Sequence, residues 1–432
     1  MQTVVETRTE KDLLRYVDQN RDVLIGMLRD LVRMPSENTP PVGKEAGCQE
    51  YCAARLREWG YETELYALAD VAGLEQHPLY WPGRDYRDRP NVAGRLRGTG
   101  GGRSLILSGH IDTVPAGTLR WTRDPFGAEV EGNRLYGRGS NDMKAGVATN
   151  LFVARAVREL GLALRGDLTV ESVVDEEFGG VNGTLAGRLH GYVADAAVIS
   201  EPSFLRVCPA QRGGLTAHIT FEVPNGGILA ASMEDGVAGQ LAWFLSQVPV
   251  FAAERRKAAP AHPLYGHLTN PVPVSVLKIH SGPWGSGEPM ATASCCKVEL
   301  FWQAMPGETL DAVKGQFWRW LEGLVEARPD LFAQMPAVEF PIRWLPGAAT
   351  PVENEFVQTM AACAERALDA RPAIAGIEGP CDMFVFSQAF GIPVVLWGAR
   401  GGNTHQADEY VEIDTVVDAA KALLLLVHRW CG

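Results

Sequence analysis

The sequence predicts an α/β fold in which a mostly parallel sheet with helices on its faces is interrupted by an inserted α+β domain. Three observations predict this fold. Short apolar strands alternate with amphipathic helices in the first half of the chain and again near its end. Between these stretches, residues 215–223 alternate strictly between apolar and polar side chains, as in a half-exposed antiparallel strand. The chain has 432 residues, which is enough for two or three domains.

The helices and strands of the α/β part follow in chain order. Apolar residues from Leu13 to Leu31 recur at helical spacing before Pro35, which ends the helical pattern. A second helix is predicted over 44–59. The pattern then predicts a strand at 104–108, a helix at 143–159, and strands at 168–174 and 196–199. After the insertion, it predicts a helix at 355–368, a strand at 393–397 and a helix at 415–429.

The inserted domain is predicted to be a two-layer α+β module. Its predicted elements are a strand at 215–223, a helix at 237–245, strands near 274–279 and 297–302, a helix at 310–327 and a strand near 338–344. Two segments, residues 1–208 and 346–432, would then form the α/β domain on either side of an insertion at 209–345.

The composition disfavours several classes of protein. Lys and Arg number 40 and Asp and Glu number 52, so the net charge is −12, which disfavours binding to nucleic acid. No apolar run approaches the ~18 residues of a membrane helix, and the polar N-terminus has no signal-peptide pattern. The eight cysteines include no C-x-x-C pair, which is typical of reduced, buried thiols. We therefore expect a cytoplasmic protein with no membrane or nucleic-acid partner.

Polar side chains cluster where the predicted strands end or where a helix begins. These residues are His110, Asp112, Asp142, Asp175, Glu176, Glu177, Glu201 and His405. Ligands of open α/β sheets bind at the carboxyl ends of the strands, so we expect these side chains to share one crevice. Each residue alone is also consistent with a helix cap, as for Asp142, or with a solvated turn. Their joint placement favours a functional site.

The predicted cluster has the donor chemistry of a metal site. Two imidazoles with several carboxylates suit Zn²⁺, Mn²⁺ or Co²⁺. The carboxylates outnumber those that one catalytic zinc ion needs, which favours two ions ~3.5–4 Å apart with a bridging carboxylate. Other hydrolase scaffolds find no support, because the sequence has no H-E-x-x-H motif and no G-x-S-x-G motif after a strand.

Five motifs make the sequence recognisable. In order, they are SGHIDTVP, GRGSNDMKAG, DEEFGG, SEPS and THQADEYV. As a set they resemble the co-catalytic metallopeptidase and deacylase family of acetylornithine deacetylase, succinyl-diaminopimelate desuccinylase, aminoacylase and carboxypeptidase G. The resemblance extends from about Arg89 to the end of the chain. It implies a zinc-peptidase-like catalytic domain and a ferredoxin-like inserted domain, the lid, through which we expect a homodimer or a larger homo-oligomer.

The resemblance also implies which residues bind metal. They would be His110, Asp142, Glu177, Glu201 and His405. Asp142 would bridge two ions, with His110 and Glu201 on one ion and Glu177 and His405 on the other. The cofactor would be one or two divalent ions, Zn²⁺, Mn²⁺ or Co²⁺.

Two further residues would act beside the metal ions. Asp112 would accept a hydrogen bond from the ring of His110 and fix its tautomer. Glu176 would be the general base that takes a proton from the attacking water and later delivers one to the leaving nitrogen.

The lid departs from the pattern of the family. Family members usually carry a His in a G-x-x-x-H-A-S-like segment, which stabilises the oxyanion in a partner subunit. The matching segment here is 226–233, and Ala230 stands at the position of that His. Loss of one oxyanion donor typically costs ~10²–10³ in rate. The residues that could replace it are His218, His262, His267 and His280.

The substrate-binding positions also differ. Family members often have an Arg after the residue that matches Asp382, where it binds a substrate carboxylate, whereas Met383 and Phe384 follow here. Arg400 either supplies such a clamp from another loop or is simply exposed. The residues we expect to contact the substrate are Arg400, Asn403, Trp284, Met383 and Phe384, with ordinary core packing as the alternative for the apolar ones.

Two enzymatic hypotheses follow. The first is metal-dependent hydrolysis of a C–N bond in a small carboxylate-bearing molecule, such as an N-acyl amino acid or a peptide-like amide. The second is a metal-dependent aminohydrolase that releases ammonia from a small aromatic or other non-peptide amine, which the absent lid His favours. A metal-binding protein without activity is disfavoured, because the sequence retains Glu176, which no metal needs.

Overall fold

A computed structural model describes residues 9–223, 236–282 and 291–432 of the chain. The chain divides into two compact units. Unit 1 comprises Met1–Ala210, Ala349–Ile377 and Cys381–Gly432, and unit 2 comprises Gln211–Ala348 and Glu378–Pro380. Among the described residues, no helix is both long and apolar enough to cross a membrane.

The helices and strands are numbered in chain order. The helices are α1 (Glu10–Gln19), α2 (Arg21–Arg33), α3 (Ala46–Glu58), α4 (Lys144–Glu159), α5 (Asn182–Leu189), α6 (Val237–Ala258), α7 (Leu310–Glu326), α8 (Glu355–Leu368) and α9 (Ile413–Cys431). The strands up to the end of unit 1's first segment are β1 (Asn38–Thr39), β2 (Val42–Gly43), β3 (Glu62–Tyr66), β4 (Asn91–Leu96), β5 (Leu105–Ser108), β6 (Glu129–Glu131), β7 (Arg134–Tyr136), β8 (Leu168–Ser172), β9 (Ala196–Ile199) and β10 (Val207–Gln211). The remaining strands are β11 (Gly213–Glu222), β12 (Val274–Ser281), β13 (Cys295–Ala304), β14 (Ala337–Glu339), β15 (Ala348–Ala349), β16 (Ile374–Ile377), β17 (Val394–Leu396), β18 (Gly401–Gly402) and β19 (Tyr410–Glu412).

The first helical stretch of the sequence forms two helices. Helix α1 begins with a capping box in which Thr9 and Asp12 satisfy each other's backbone N–H groups. It ends at Asn20, whose side-chain amide donates to the carbonyl of Tyr16 at 2.9 Å. This bond satisfies a carbonyl of the last turn, and α2 then starts at Arg21.

The central sheet of unit 1 is mixed. Its order is β15-β10-β17-β9-β5-β8-β4-β3, with β16 beside β10. The four strands β17, β9, β5 and β8 are parallel, while β10 and β4 pair antiparallel on either side of them. The predicted α/β class is confirmed, and the predicted parallel pairing describes the centre of the sheet. Strands β5, β8 and β9 are buried, and their register brings their carboxyl ends to the same edge.

A small antiparallel sheet forms at the same end of unit 1. Its order is β18-β19-β7-β6, and Tyr410 of β19 lies opposite Tyr136 of β7. This pairing brings the loop that carries His405 next to the loop that carries Asp142. The sequence analysis did not predict this sheet, because strands of two or three residues show no periodicity.

Unit 2 has the ferredoxin-like arrangement that was predicted for the insertion. Its elements follow the order β11-α6-β12-β13-α7-β14, and the sheet order is β12-β13-β11-β14 with antiparallel pairing throughout. Helix α6 is longer than the predicted 237–245 and contains Pro249. Phe251, beyond that proline, is fully buried and stacks on Trp320 with ring centroids 4.7 Å apart. This packing outweighs the ~3 kcal/mol that an internal proline costs a helix.

The core of unit 2 predicts the effect of one substitution on stability. Phe317 of α7 is fully buried and stacks on Trp302 with ring centroids 4.9 Å apart. We expect Phe317→Ala to destabilise unit 2 by ~3–5 kcal/mol, because it removes buried surface and leaves a cavity. The measurement is the shift of the tryptophan-fluorescence transition in urea. Leu277→Ala on β12, where the side chain is 52% exposed, is the control and should shift the transition by ~0.5 kcal/mol or less. Equal shifts would contradict this account of the core.

Candidate metal centre

One group of possible metal ligands lies at the carboxyl ends of β5 and β9. His110 Nε2 lies 3.1 Å from Asp142 Oδ1 and 3.6 Å from Glu201 Oε1. Asp142 precedes α4, and that helix approaches the end of β9 closely. A Cβ at Gly146 would lie 2.0 Å from the carbonyl oxygen of Ser200, so only glycine permits this approach.

A second group shares Asp142 with the first. His405 Nε2 lies 3.2 Å from Asp142 Oδ2 and 3.1 Å from Glu177 Oε2. The other oxygen of Glu177 accepts a hydrogen bond from the Val114 backbone N–H at 3.1 Å. The two oxygens of Asp142 thus face different imidazoles, which is the arrangement of a bridging carboxylate.

The geometry of both groups fits a divalent metal ion. In each group, one donor atom from each of three residues lies within 4.8 Å of the others. Tetrahedral ligation at ~2.0–2.1 Å places ligand atoms ~3.3 Å apart, close to the distances between the imidazoles and carboxylates here. The donors are nitrogen and oxygen, which suit the borderline and hard divalent cations. The residues present therefore fit one or two such ions.

The loop that carries Asp142 is organised by a carboxylate that the sequence analysis missed. Glu409 accepts backbone N–H bonds from Gly139, Asn141 and Asp142, each at 3.0 Å. Its Oε2 also accepts from Arg138 Nη1 at 2.5 Å, and both side chains are almost fully buried. The pairing of β19 with β7 brings Glu409 to this loop. The only sequence signal for the contact was the place of Glu409 within the THQADEYV motif, to which no role was assigned.

Asp112 organises the loop that carries the two glutamates. Its carboxylate accepts from the backbone N–H of Glu176 at 3.2 Å and of Glu177 at 3.0 Å. The ring of His110 bonds to the same residue in a different way from the predicted one. Nδ1 lies 2.9 Å from the carbonyl oxygen of Asp112 and 3.6 Å from its carboxylate. The backbone carbonyl is thus the nearer acceptor for Nδ1–H, and either acceptor leaves Nε2 free to bind metal.

Burial and neighbouring carboxylates raise the pKa values of two glutamates in the cluster. Burial raises the pKa of Glu176 well above its usual range, and the charges of Glu201 and Asp382 raise it further. Burial also raises the pKa of Glu201, with Asp142 and Asp382 adding to the effect. Asp142 behaves in the opposite way. Although burial opposes ionisation, hydrogen bonds from His110 and His405 hold its pKa well below the usual range.

The loops that carry Glu177 and His405 contain residues in the left-handed backbone region. Phe178 and Val181 have φ values of 60° and 90°, and Asn403 and His405 have φ values of 55° and 62°. Such a conformation costs ~1–3 kcal/mol for a residue other than glycine and persists only where the surroundings enforce it. The clustering of left-handed residues beside Glu177 and around His405 is typical of a functional site.

The residues expected to contact the substrate have different environments. Arg400 is half exposed, with its Nη1 3.8 Å from Glu412, and Asn403 is exposed and donates to the carbonyl of Asp408. Met383 and Phe384 are buried, and Met383 lies in a hydrophobic cluster of unit 1. Their burial is consistent with core packing, and a contact of these two residues with the substrate stays a prediction. Trp284 lies outside the described residues.

The lid position at which family members carry a His lies outside the described residues. Residues 226–233, with Ala230, belong to the range 224–235 that the structure does not describe. His218 on β11 is engaged by Glu299, with 2.8 Å between Nε2 and Oε2. His262 accepts a hydrogen bond from the Leu264 N–H and so caps a short turn.

Fold and site together define a class of protein: an α/β unit with metal-binding residues at one edge of its sheet, joined to a ferredoxin-like insertion. Residues 106–429 match the sequence profile of Peptidase family M20/M25/M40. The chain belongs to this family. The resemblance noted from the five motifs is thereby confirmed, and so is the predicted class, a hydrolase that acts on C–N bonds.

Curated relatives are similar over most of the chain. An N-formyl-4-amino-5-aminomethyl-2-methylpyrimidine deformylase from Halalkalibacterium halodurans is 26% identical and covers 98% of this chain and 97% of its own length. An acetylornithine deacetylase from Klebsiella pneumoniae is 27% identical and covers 81% of this chain and 86% of its own.

Solved structures support the fold. Dipeptidase Dug1p from Saccharomyces cerevisiae aligns with a TM-score of 0.79 at 14% identity, covering 98% of both chains. Human carnosine dipeptidase 1 aligns with a TM-score of 0.75 at 16% identity, covering 98% of this chain and 100% of its own. At these identities the likeness concerns the fold alone.

The contacts of Glu409 predict its effect on metal binding. We expect Glu409→Gln to weaken divalent-metal binding ~10–100-fold, because an uncharged amide cannot accept from both Arg138 and three backbone N–H groups. The measurement is the metal dissociation constant by titration calorimetry. Glu412→Gln, which removes the half-buried carboxylate 3.8 Å from Arg400, is the control and should leave the constant unchanged. Equal effects of the two substitutions would show that Glu409 does not position Asp142.

Protons are expected to compete with the metal. Burial lowers the pKa of His405, but the carboxylates of Glu177 and Asp142 outweigh burial and raise it to about 11. The raised pKa means that the metal-free imidazole stays protonated at neutral pH and loses its proton only as pH rises toward that value, so a metal ion has to displace a proton. We expect apparent metal affinity to rise from about pH 6 to about pH 8, with at least one proton released per chain.

Proton release is measured by calorimetry in buffers of different ionisation enthalpy. His218→Gln in unit 2 is the control and should release the same number of protons as the unmodified chain. An affinity that does not change with pH, together with no proton release, would contradict the protonated state of His405.

Proposed function

We propose that the protein is a metal-dependent amidohydrolase that removes a small acyl group from the nitrogen of a small molecule. The observation that carries this proposal is the position of Glu176. Its Oε2 lies 3.9 Å from His110 Nε2, and its side chain is about 15% exposed. A carboxylate with that access to solvent, beside two clusters of metal donors, can reach both a water molecule and the scissile amide.

The reaction follows from the roles of these residues. A divalent cation, when bound by the two donor groups, lowers the pKa of a water molecule and polarises the amide oxygen. Glu176 accepts a proton from the attacking water while the water oxygen bonds to the acyl carbon. Glu176 then donates this proton to the nitrogen as the C–N bond breaks, which releases a carboxylic acid and an amine. Glu176 must be ionised to accept the proton and must hold it until the C–N bond breaks.

The relatives support a short acyl group. The printed activities of the two curated relatives, a deformylase and a deacetylase, both remove an acyl group of one or two carbons from an amine. We propose the same bond for this chain, with Zn²⁺, Mn²⁺ or Co²⁺ as the metal. A homodimer or a larger homo-oligomer through the lid stays a prediction from the resemblance, and a cytoplasmic location stays a prediction from the composition.

The aminohydrolase alternative gains no support from the described residues or from the relatives. It depended on Ala230 in the lid, which lies outside the described residues, and on an apolar pocket that included Met383 and Phe384, which are buried. Neither curated relative named above is a deaminase.

The proposal predicts which substrates are turned over. The chain, loaded in turn with Zn²⁺, Mn²⁺ and Co²⁺, is assayed against N-formyl and N-acetyl amines and amino acids, and separately against amino-substituted aromatic acids. We expect release of the free amine with formate or acetate from the first set and no ammonia from the second. Ammonia from the second set alone would overturn the proposal and favour the aminohydrolase.

A substitution separates catalysis from metal binding. We expect Glu176→Gln to lower kcat ~10²–10⁴-fold, because the amide cannot accept the proton, while the metal dissociation constant stays the same. The measurements are steady-state kinetics and calorimetry on the same preparations. Unchanged turnover in this variant would show that Glu176 is not the general base.

A further inference from the structure

Asn38 has a buried side-chain amide that lies between two carboxylates. Neither carboxylate belongs to the two groups of possible metal ligands. The Nδ2 of Asn38 donates to Asp112 Oδ2 at 2.9 Å and to Asp175 Oδ1 at 3.2 Å, and it lies 3.5 Å from the carbonyl of Glu177. The side chain is fully buried. An amide nitrogen carries two hydrogens, so this one group supplies one hydrogen to each carboxylate.

The backbone of Asn38 is itself held against the segment that follows β5. Its N–H donates to the carbonyl of Thr113 at 2.8 Å, and the N–H of Thr113 donates to the carbonyl of Ser36 at 3.0 Å. The hydroxyl of Ser36 donates to the carbonyl of Ile111 at 2.7 Å. The amide therefore has little freedom to move away from Asp112.

Asp175 is also held by two cations and a phenol. Its Oδ2 accepts from the hydroxyl of Tyr86 at 2.6 Å, and Arg84 and Arg89 lie 3.4 and 3.7 Å from Oδ1. Asp112, in contrast, faces the glutamate loop and accepts its backbone N–H groups. Asn38 is thus the link between an anchored carboxylate and the carboxylate that orders Glu176 and Glu177.

The oxygen atom of the Asn38 amide is a further argument for its role as a link between the two carboxylates. Its Oδ1 has no hydrogen-bond partner within the described parts of the chain. A buried polar atom without a partner costs ~1–3 kcal/mol, so the amide oxygen destabilises the fold. What offsets this cost is the donor side, which serves the two carboxylates.

We propose that Asn38 is a positioning residue of the metal centre. By holding Asp112 and Asp175 with one amide, it fixes the backbone of the two glutamates and the segment that carries His110. The proposal rests on the proposed function only for its effect on turnover, since its effect on metal binding is measured separately.

The test compares Asn38→Leu with a matched control. Gln49 is also a fully buried amide: its Nε2 donates to the carbonyl of Ser172 at 2.9 Å, and its Oε1 has no partner among the residues described. Asn38→Leu and Gln49→Met both replace an amide by an apolar side chain of similar shape. The measurements on the full chain are the Mn²⁺ dissociation constant by calorimetry, the Tm, and kcat and KM at saturating Mn²⁺.

We expect similar losses of Tm in the two variants but different metal binding. Asn38→Leu should weaken Mn²⁺ binding ~10–100-fold and lower kcat with little change in KM, because Asn38 does not touch the substrate. Gln49→Met should change neither the dissociation constant nor kcat. Equal dissociation constants for the two variants would overturn the proposal and leave Asn38 a packing residue.

Two further outcomes are distinguishable. Should Asn38→Leu fail to fold, Asn38→Ser takes its place, since one hydroxyl hydrogen serves only one of the two carboxylates. Its Mn²⁺ binding should still be weaker than that of the unmodified chain, and unchanged binding would refute the proposal. If the unmodified chain binds Mn²⁺ but hydrolyses no N-acyl compound, the proposed function fails, while the comparison of dissociation constants still decides the role of Asn38.

Discussion

Repulsion among carboxylates at one edge of the central sheet is the constraint on which the rest of the site depends. Burial raises the pKa values of Glu176, Glu177 and Glu201, and the charges of neighbouring carboxylates raise them further. Charges of one sign in a medium of low dielectric constant cannot stay together without compensation. The imidazoles of His110 and His405 compensate part of this charge in the metal-free chain, and divalent cations compensate more when bound.

The carboxylates that order the two loops are held by neutral donors as well as by arginines. Backbone N–H groups of the Asp142 loop converge on Glu409, and those of the glutamate loop converge on Asp112. Asn38 then supplies an amide to Asp112 and Asp175 together. Oriented dipoles of this kind stabilise carboxylates without placing a competing cation among the metal donors. The left-handed residues of the glutamate loop, Phe178 and Val181, are consistent with a loop held in place by these bonds rather than by local backbone preference.

The sequence predicted the parts of the fold that have periodicity and the parts of the site that follow strands. Strands β5, β8 and β9 are apolar runs, and the donors after them could be expected at one sheet edge. Asn38 and Glu409 could not be predicted. Asn38 is 137 residues away in sequence from Asp175, and Glu409 is 267 residues away from Asp142, so only tertiary pairing reveals these contacts. The helix α6 was predicted too short because local propensity at Pro249 carried more weight in the sequence than the burial of Phe251 does in the fold.

The two donor groups differ in their access to water, and this difference follows from the sheets that carry them. His110 follows a buried central strand, is about 2% exposed, and has its ring direction set by the carbonyl of Asp112. His405 lies between the short strands β18 and β19, is about 50% exposed, and has a positive φ. A cation held by the first group would be shielded from water, whereas one held by the second would face solvent, where ligand exchange is easier. Because Asp142 belongs to both groups, a cation in the buried group would also orient this carboxylate for the exposed group. The metal centre is therefore asymmetric by construction, with the buried group built on the core of unit 1 and the exposed group built on its small sheet.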